Sequence, residues 1–188
     1  KLDMVEKAVH TLVAFGLVAG VALMITGMTF TPHILRWMGT PKDVLPNSVL
    51  YFRIYFAGSL GFVMYNVFVG ILQSVGDSRH PLMYLVFSSL LNVTLDLIFI
   101  AGFRMGVGAA AFATIISQFA SATLCLVRLL RERSAYRVVL AKIRFHGMIL
   151  RQIISNGLPA GVQNSIIALA NVVVQSNINA FGPDAMAG

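Results

Sequence analysis

The chain has 188 residues, of which 57% are hydrophobic and 11% are charged, with a formal net charge of +7 at pH 7. Soluble globular domains carry about 25% charged residues, so this composition excludes an ordinary water-soluble fold and indicates a membrane protein. The positive charge does not indicate a nucleic-acid partner. Most of it lies in one segment, Arg128 to Arg151, beside an apolar run, where lipid headgroups and membrane topology account for it.

Five apolar segments predict five transmembrane helices, because about 20 apolar residues span a hydrocarbon core of roughly 30 Å. In chain order they cover about residues 8–35, 49–73, 82–101, 107–127 and 159–181. Short connections rich in glycine and proline join the first four, so successive helices should be antiparallel and adjacent. The predicted fold class is therefore an all-α, polytopic transmembrane helix bundle that has membrane lipid as a partner.

A long basic linker separates the fourth apolar segment from the fifth. Its apolar side chains alternate irregularly with arginine and lysine, and we expect an interfacial helix on the anionic cytoplasmic leaflet. The chain would then divide into four helices of a first bundle (1–127), the linker (128–156) and the first helix of a second bundle (157–188).

Lysine and arginine are distributed unevenly between the two sides of the predicted bundle. Ten of the fourteen lie on the side of residue 1 and the linker, and four lie on the other. The positive-inside rule places the first group in the cytoplasm, so residue 1 would be cytoplasmic in a multi-pass protein of the plasma (inner) membrane. The chain begins with lysine instead of methionine, and both ends look like cuts through a longer protein, so we expect a longer protein.

Asp96 is the main candidate for a functional residue because it lies within the third apolar segment. A carboxylate at that depth costs at least about 2.5–3.5 kcal/mol on insertion scales, and it normally faces a cavity or a partner. Asn92 shares a helix face with Asp96, and so does Ser89. Counting residues from Arg104 in the following loop predicts that Asp96 is level with Thr114 and that Asn92 is level with Ser117.

These oxygen-bearing side chains predict a cation or proton site at Asp96, Asn92 and Thr114. Carboxylate, amide and hydroxyl oxygens suit a hard cation such as Na⁺, and a desolvated carboxyl with hydrogen-bonding neighbours suits a proton. Helix packing is the alternative for the hydroxyl groups, but an amide would serve that purpose at lower cost than Asp96. The sequence indicates no other metal site, no cofactor and no nucleophile–base pair, so we do not expect an enzyme.

The fifth segment carries a second polar face formed by Asn164, Asn171, Gln175 and Asn179. This face predicts either a lining of the substrate path or packing against another helix, and the pattern leaves both open. Arg53 lies near the outer end of the second segment, where its side chain can extend to the headgroups. A gate, or a partner for Asp96, is the alternative role for Arg53.

Several stretches taken together resemble the multidrug and toxic compound extrusion (MATE) transporters. They are Gly76-Asp77-Ser78-Arg79-His80-Pro81, Asn92-Val93-Thr94-Leu95-Asp96, residues 106–114, and Gly157-Leu158-Pro159-Ala160-Gly161 before an amide-rich helix. The resemblance covers essentially the whole chain. It implies a protein of twelve helices in two six-helix bundles, of which this chain would form about the third to the seventh helix, with the basic linker between the bundles.

The resemblance also implies secondary active export of cationic, amphipathic drugs or metabolites, a form of xenobiotic efflux in exchange for Na⁺ or H⁺. The family's asparagine and aspartate in one helix match Asn92 and Asp96, and a threonine in the next matches Thr114. The implied partners are small cationic substrates and the missing helices of the same polypeptide. A further family aspartate falls outside this chain, and no acid lies between Glu132 and Asp184. The expectation therefore rests mainly on Asp96.

Two alternatives to drug export stay open. A lipid-linked sugar flippase of the same superfamily would line its cavity with cationic side chains, whereas this interior is neutral or anionic. A structural membrane protein with no transport activity would pair Asp96 with a fixed cation.

Overall fold

The computed structural model describes residues 1–106 and 108–180, with side chains up to residue 177. Its helices are α1 (Leu2–Trp37), α2 (Leu45–Ala57), α3 (Ser59–Ser74), α4 (Arg79–Asp96), α5 (Gly108–Arg131) and α6 (Gly147–Ala180). A π-helical turn at Leu97–Gly102 extends α4, and a short 3-10 helix covers Leu140–Lys142.

Five stretches of the described residues are long and apolar enough to cross a membrane, namely residues 2–37, 45–74, 79–102, 108–131 and 147–177. This agrees with the five predicted segments, and the all-α transmembrane fold class is confirmed. The predicted end of the last segment, Phe181, lies outside the described residues.

Two compact units make up the chain, Lys1–His146 and Gly147–Gly188. In the first unit α1 packs against α2 and α3, and α5 packs against α2, α3 and α4. One apolar cluster joins α1, α3, α5 and the linker; its members are Val9, Val13, Met64, Phe68, Ile71, Leu72, Ala122, Cys125, Leu129 and Val138. Burial of these side chains holds α1, α3 and α5 together. The helix α4 is held mainly by its packing on α5.

The second predicted segment is two helices because the chain bends at Gly58. This residue has φ −85° and ψ 0°, so α2 ends before it and α3 begins after it. A Cβ atom at Gly58 would lie 2.4 Å from Cγ1 of Ile115, which shows how closely α5 approaches the bend. Any larger residue here would force the side chain of Ile115 to shift.

Arg53 supplies the hydrogen-bond donor that α1 lacks at Pro32. In a regular helix the carbonyl of Met28 would accept the N–H of residue 32, but proline has none. Arg53 Nε donates to that carbonyl at 3.3 Å, joining α2 to α1. None of the ion pairs among the described residues includes Asp96, so the alternative in which Arg53 neutralises Asp96 is not formed.

The predicted interfacial helix of the linker is wrong. Residues 128–131 complete α5, only Leu140–Lys142 form a helical turn, and α6 begins at Gly147. Pro159 therefore lies inside α6 and does not open it. The division into two bundles at this linker stays a prediction.

The linker is instead an extended segment bound along the first turns of α1. His10 Nε2 accepts the backbone N–H of Val139 at 2.9 Å, and Lys142 forms an ion pair with Glu6. Thr11 and the ring of His146 are 3.0 Å apart. Val138 enters the core and is only 1% exposed, whereas Leu140 and Phe145 are exposed. This irregular insertion explains why no amphipathic helix forms.

Candidate functional site

A polar cleft of about 390 Å³ lies among α3, α4 and α5. It exists because α4 packs closely on α5 but barely contacts α3. Its polar lining consists of Tyr65 and Asn66 from α3, Ser88, Ser89 and Asn92 from α4, and Thr114, Ser117, Gln118 and Ser121 from α5. These groups are neutral hydrogen-bond donors and acceptors, which can hold a polar or hydrated ligand between apolar helices.

The structure brings two of the three predicted site residues together. Asn92 Nδ2 donates to Thr114 Oγ1 at 3.4 Å, while the Thr114 hydroxyl donates to the carbonyl of Ala110 at 2.9 Å. The hydroxyl group of Thr114 thus accepts a hydrogen bond from Asn92 and donates one to a carbonyl of its own helix. No described residue donates to the side-chain oxygen of Asn92, which can accept from a ligand or coordinate a cation.

Asp96 is the last residue of α4 and lies one turn beyond Asn92. Its side chain is half-buried, and its Oδ1 atom is fully buried without a hydrogen-bond donor among the described residues. Asp96 is not part of the cleft lining. A buried carboxylate oxygen without a donor is costly, so a proton or a cation would find an open position there.

The predicted register between α4 and α5 is wrong by about one turn of α4. Thr114 contacts Asn92 instead of lying level with Asp96, and Ser117 accepts a hydrogen bond from Ser88 instead of facing Asn92. The prediction assumed a uniform 1.5 Å rise up to the loop. The π turn after Asp96 packs more residues into each turn and draws the end of α4 toward the loop, which accounts for part of the difference.

Several polar groups of the cleft were not predicted from the sequence. Asn66 lies alone in an apolar helix, and its amide donates to the carbonyl of Phe62 at 2.7 Å. Gln118 lies one turn after Thr114, so the same helical spacing that connects Asn92 and Asp96 could have identified it. Ser89, which was predicted to share the polar stripe, lies at the edge of the cleft and donates to the Leu85 carbonyl.

The amide face of α6 belongs to the second unit. Asn164, Asn171 and Gln175 are seven and four residues apart, which places them on one side of α6. The side chain of Asn179 lies outside the described residues. The role of these amides in lining a substrate path stays a prediction.

No group of three or more His, Cys, Asp or Glu side chains that could hold a metal ion occurs in residues 1–106 and 108–180. The predicted site at Asp96, Asn92 and Thr114 would offer a cation oxygen atoms from one carboxylate, one amide and one hydroxyl group.

Comparison with known proteins connects this architecture to one family. The MatE family model matches residues 1–98. The chain is 29% identical to the probable multidrug resistance protein YoeA of Bacillus subtilis, with 98% of this chain and 42% of that protein covered. It is 30% identical to the probable multidrug resistance protein YpnP of the same organism, with 86% of this chain and 36% of that protein covered.

Solved structures give the same result. A MATE family transporter of the MOP superfamily in an outward-facing conformation matches with a TM-score of 0.81 and 29% identity, covering 91% of this chain and 38% of that one. The chain thus spans about two fifths of the length of the relatives that it matches. These relatives are named as transporters and multidrug resistance proteins, not as enzymes. Since the family model matches more than half of its residues, this chain belongs to the MatE family of membrane transporters.

Proposed function

We propose that this chain forms about the third to the seventh helix of a secondary active transporter that exports cationic, amphipathic drugs or metabolites. Na⁺ or H⁺ would move in the opposite direction and drive the export. Membership of the MatE family supports the class of activity, and the named multidrug resistance relatives support the class of cargo. The protein would lie in the plasma membrane with residue 1 on the cytoplasmic side.

The buried, unpartnered carboxylate oxygen of Asp96 carries this proposal. A structural acid would have a fixed basic partner, because an uncompensated charge in the apolar region is expensive. Asp96 has no such partner within residues 1–106 and 108–180. An exchangeable cation explains the presence of Asp96 better, since the carboxylate would be neutralised whenever a cation is bound.

Exclusive binding at one carboxylate gives a simple mechanism for exchange. Either the coupling ion or the cationic cargo neutralises Asp96, and Coulomb repulsion disfavours both at once. Asn92, which is held by Thr114, would orient its amide oxygen toward the bound cation. The polar cleft would hold neutral hydrogen-bonding parts of the cargo, and Asn164, Asn171 and Gln175 would line part of the path.

The lining of the cleft favours cationic cargo over an anionic lipid-linked sugar. Its lining, as far as the described residues form it, contains no lysine or arginine side chain. A pyrophosphate group needs several cationic side chains, whereas amide and hydroxyl groups beside an acid suit a cation.

Transport by the full-length protein in vesicles tests the proposal, with Na⁺ and pH gradients imposed separately. We expect Asp96→Asn to abolish ion-driven export of a cationic dye while the protein still accumulates in the membrane. Asp43→Asn is a matched control, because Asp43 is an exposed acid in the loop between α1 and α2. Undiminished export by the Asp96→Asn variant would refute the assignment.

A further inference from the structure

We propose that Ser88 is a positioning residue for the cation site. Its hydroxyl sets the height and rotation of α4 on α5, and so holds Asn92 within reach of Thr114. This inference rests on the proposed function of the site at Asn92, Thr114 and Asp96, and it adds a residue that does not itself touch the ion.

Ser88 is the main buried anchor of α4. Among the residues of this helix only Pro81 and Ser88 are buried within the described structure. The Ser88 hydroxyl donates to the backbone carbonyl of Ser117 at 3.0 Å, across the interface with α5. In the described residues, this bond and the contact from Asn92 to Thr114 are the two side-chain hydrogen bonds that join α4 to α5.

The other hydroxyl groups at this interface are used within their own helices. Ser117 donates to the carbonyl of Ala113, and Ser121 donates to that of Ser117. Away from the interface, the exposed Thr94 of α4 likewise donates to the carbonyl of Leu90. The small buried side chains of α5 allow α4 to approach closely, but they do not define its rotation. Among the described residues, Ser88 is the one whose hydroxyl donates a hydrogen bond from one of these two helices to the other.

The contact between Asn92 and Thr114 depends on this alignment. Ser88 and Asn92 are one turn apart, or about 6 Å along the helix. The distance of 3.4 Å between Asn92 Nδ2 and Thr114 Oγ1 lies beyond the usual hydrogen-bond range, so a displacement of a few tenths of an ångström would remove the bond. Loss of the Ser88 anchor would therefore release the amide that orients toward the ion.

The test measures the concentration of the driving ion that gives half-maximal export by the full-length protein in vesicles. We expect Ser88→Ala to raise this concentration about threefold, the effect of one average interhelical hydrogen bond, with little change in the maximal rate. For H⁺ this equals a shift of about half a pH unit. Thr94→Val is the matched control on the same helix and should leave the value unchanged.

A double-mutant cycle separates positioning from general packing. We expect Ser88→Ala to have no further effect in a Thr114→Val background. The cycle is read as the ion-dependent rise in unfolding temperature of the purified full-length protein, so inactive variants still give a value. If Ser88→Ala weakens ion binding threefold in both backgrounds, or in neither, the inference is overturned. Should Ser88→Ala fail to accumulate, Ser88→Cys must show a smaller shift of the same sign.

The two proposals fail in distinguishable ways. Export that persists in Asp96→Asn overturns the proposed function and this inference with it. An inactive Asp96→Asn together with a Ser88→Ala variant like the wild type overturns only the role of Ser88.

Discussion

The hydrogen bond from Arg53 to α1 predicts a compensating pair of substitutions. Arg53→Met removes the Nε donor that lies 3.3 Å from the Met28 carbonyl and keeps most of the apolar stem. The carbonyl is then left without a donor, because residue 32 is proline. Pro32→Ala restores the backbone N–H, so Arg53→Met should be almost harmless in that background.

The expected free-energy change follows from the geometry of this bond. An unsatisfied carbonyl in apolar surroundings costs about 1–3 kcal/mol, and measured interhelical bonds in a membrane protein average about 0.6 kcal/mol. The bond is long and the side chain of Arg53 is exposed within the described residues, so we expect about 1 kcal/mol of destabilisation. This is about a fivefold change in the ratio of folded to unfolded protein. In the Pro32→Ala background the change should fall below about 0.3 kcal/mol.

Reversible unfolding of the full-length protein in mixed micelles would measure all four members of this cycle. Arg36→Met is the control for loss of a positive charge near the same end of α1, where Arg36 lies in the last turn of the helix. The reasoning is refuted if Arg53→Met destabilises the protein equally with proline or alanine at position 32.

Two further predictions concern packing and pH. Gly27→Ala should destabilise the protein by about 1–3 kcal/mol in the same unfolding assay, because the new Cβ would lie 2.2 Å from the ring of Phe56. Phe56→Ala should reduce that penalty. Gly70→Ala is the control and should destabilise the protein far less, because the space around Gly70 is open. Equal destabilisation by the two glycine substitutions would contradict the packing argument. The backbone N–H of Arg133 is the first of several groups that lower the pKa of Glu132 from 4.5 to about 2. The carboxylate therefore stabilises the end of α5 above pH 4.5, and this stabilisation is lost as the pH falls toward 2. In the wild-type protein the hydrogen-exchange protection of the linker should fall over this pH range. In the Glu132→Gln variant this pH-dependent fall should be absent.

The sequence predicted the features that depend on neighbouring residues along one helix. The five apolar runs identified the membrane-spanning stretches, because bilayer thickness sets their length. The spacing of Asn92 and Asp96 identified a polar face for the same local reason. Asp96 was singled out by the energy of its burial, and the structure leaves one of its oxygens buried without a donor.

Features that depend on distant residues were not predictable in this way. The need for glycine at position 58 follows from the close approach of Ile115, more than fifty residues later. The register of α4 on α5 depends on a π turn that has no simple sequence signal. The path of the linker depends on His10, whose ring accepts the N–H of Val139, 129 residues later in the chain.

The bound linker has a practical consequence for work on this protein. A basic loop between two helical units is an obvious place to insert a reporter domain, a protease site or a split point. Here the backbone N–H of Val138 donates to the carbonyl of Leu129, and that of Val139 donates to the ring of His10. The side chain of Val138 is buried, so an insertion at that point would remove it from the core and break both hydrogen bonds.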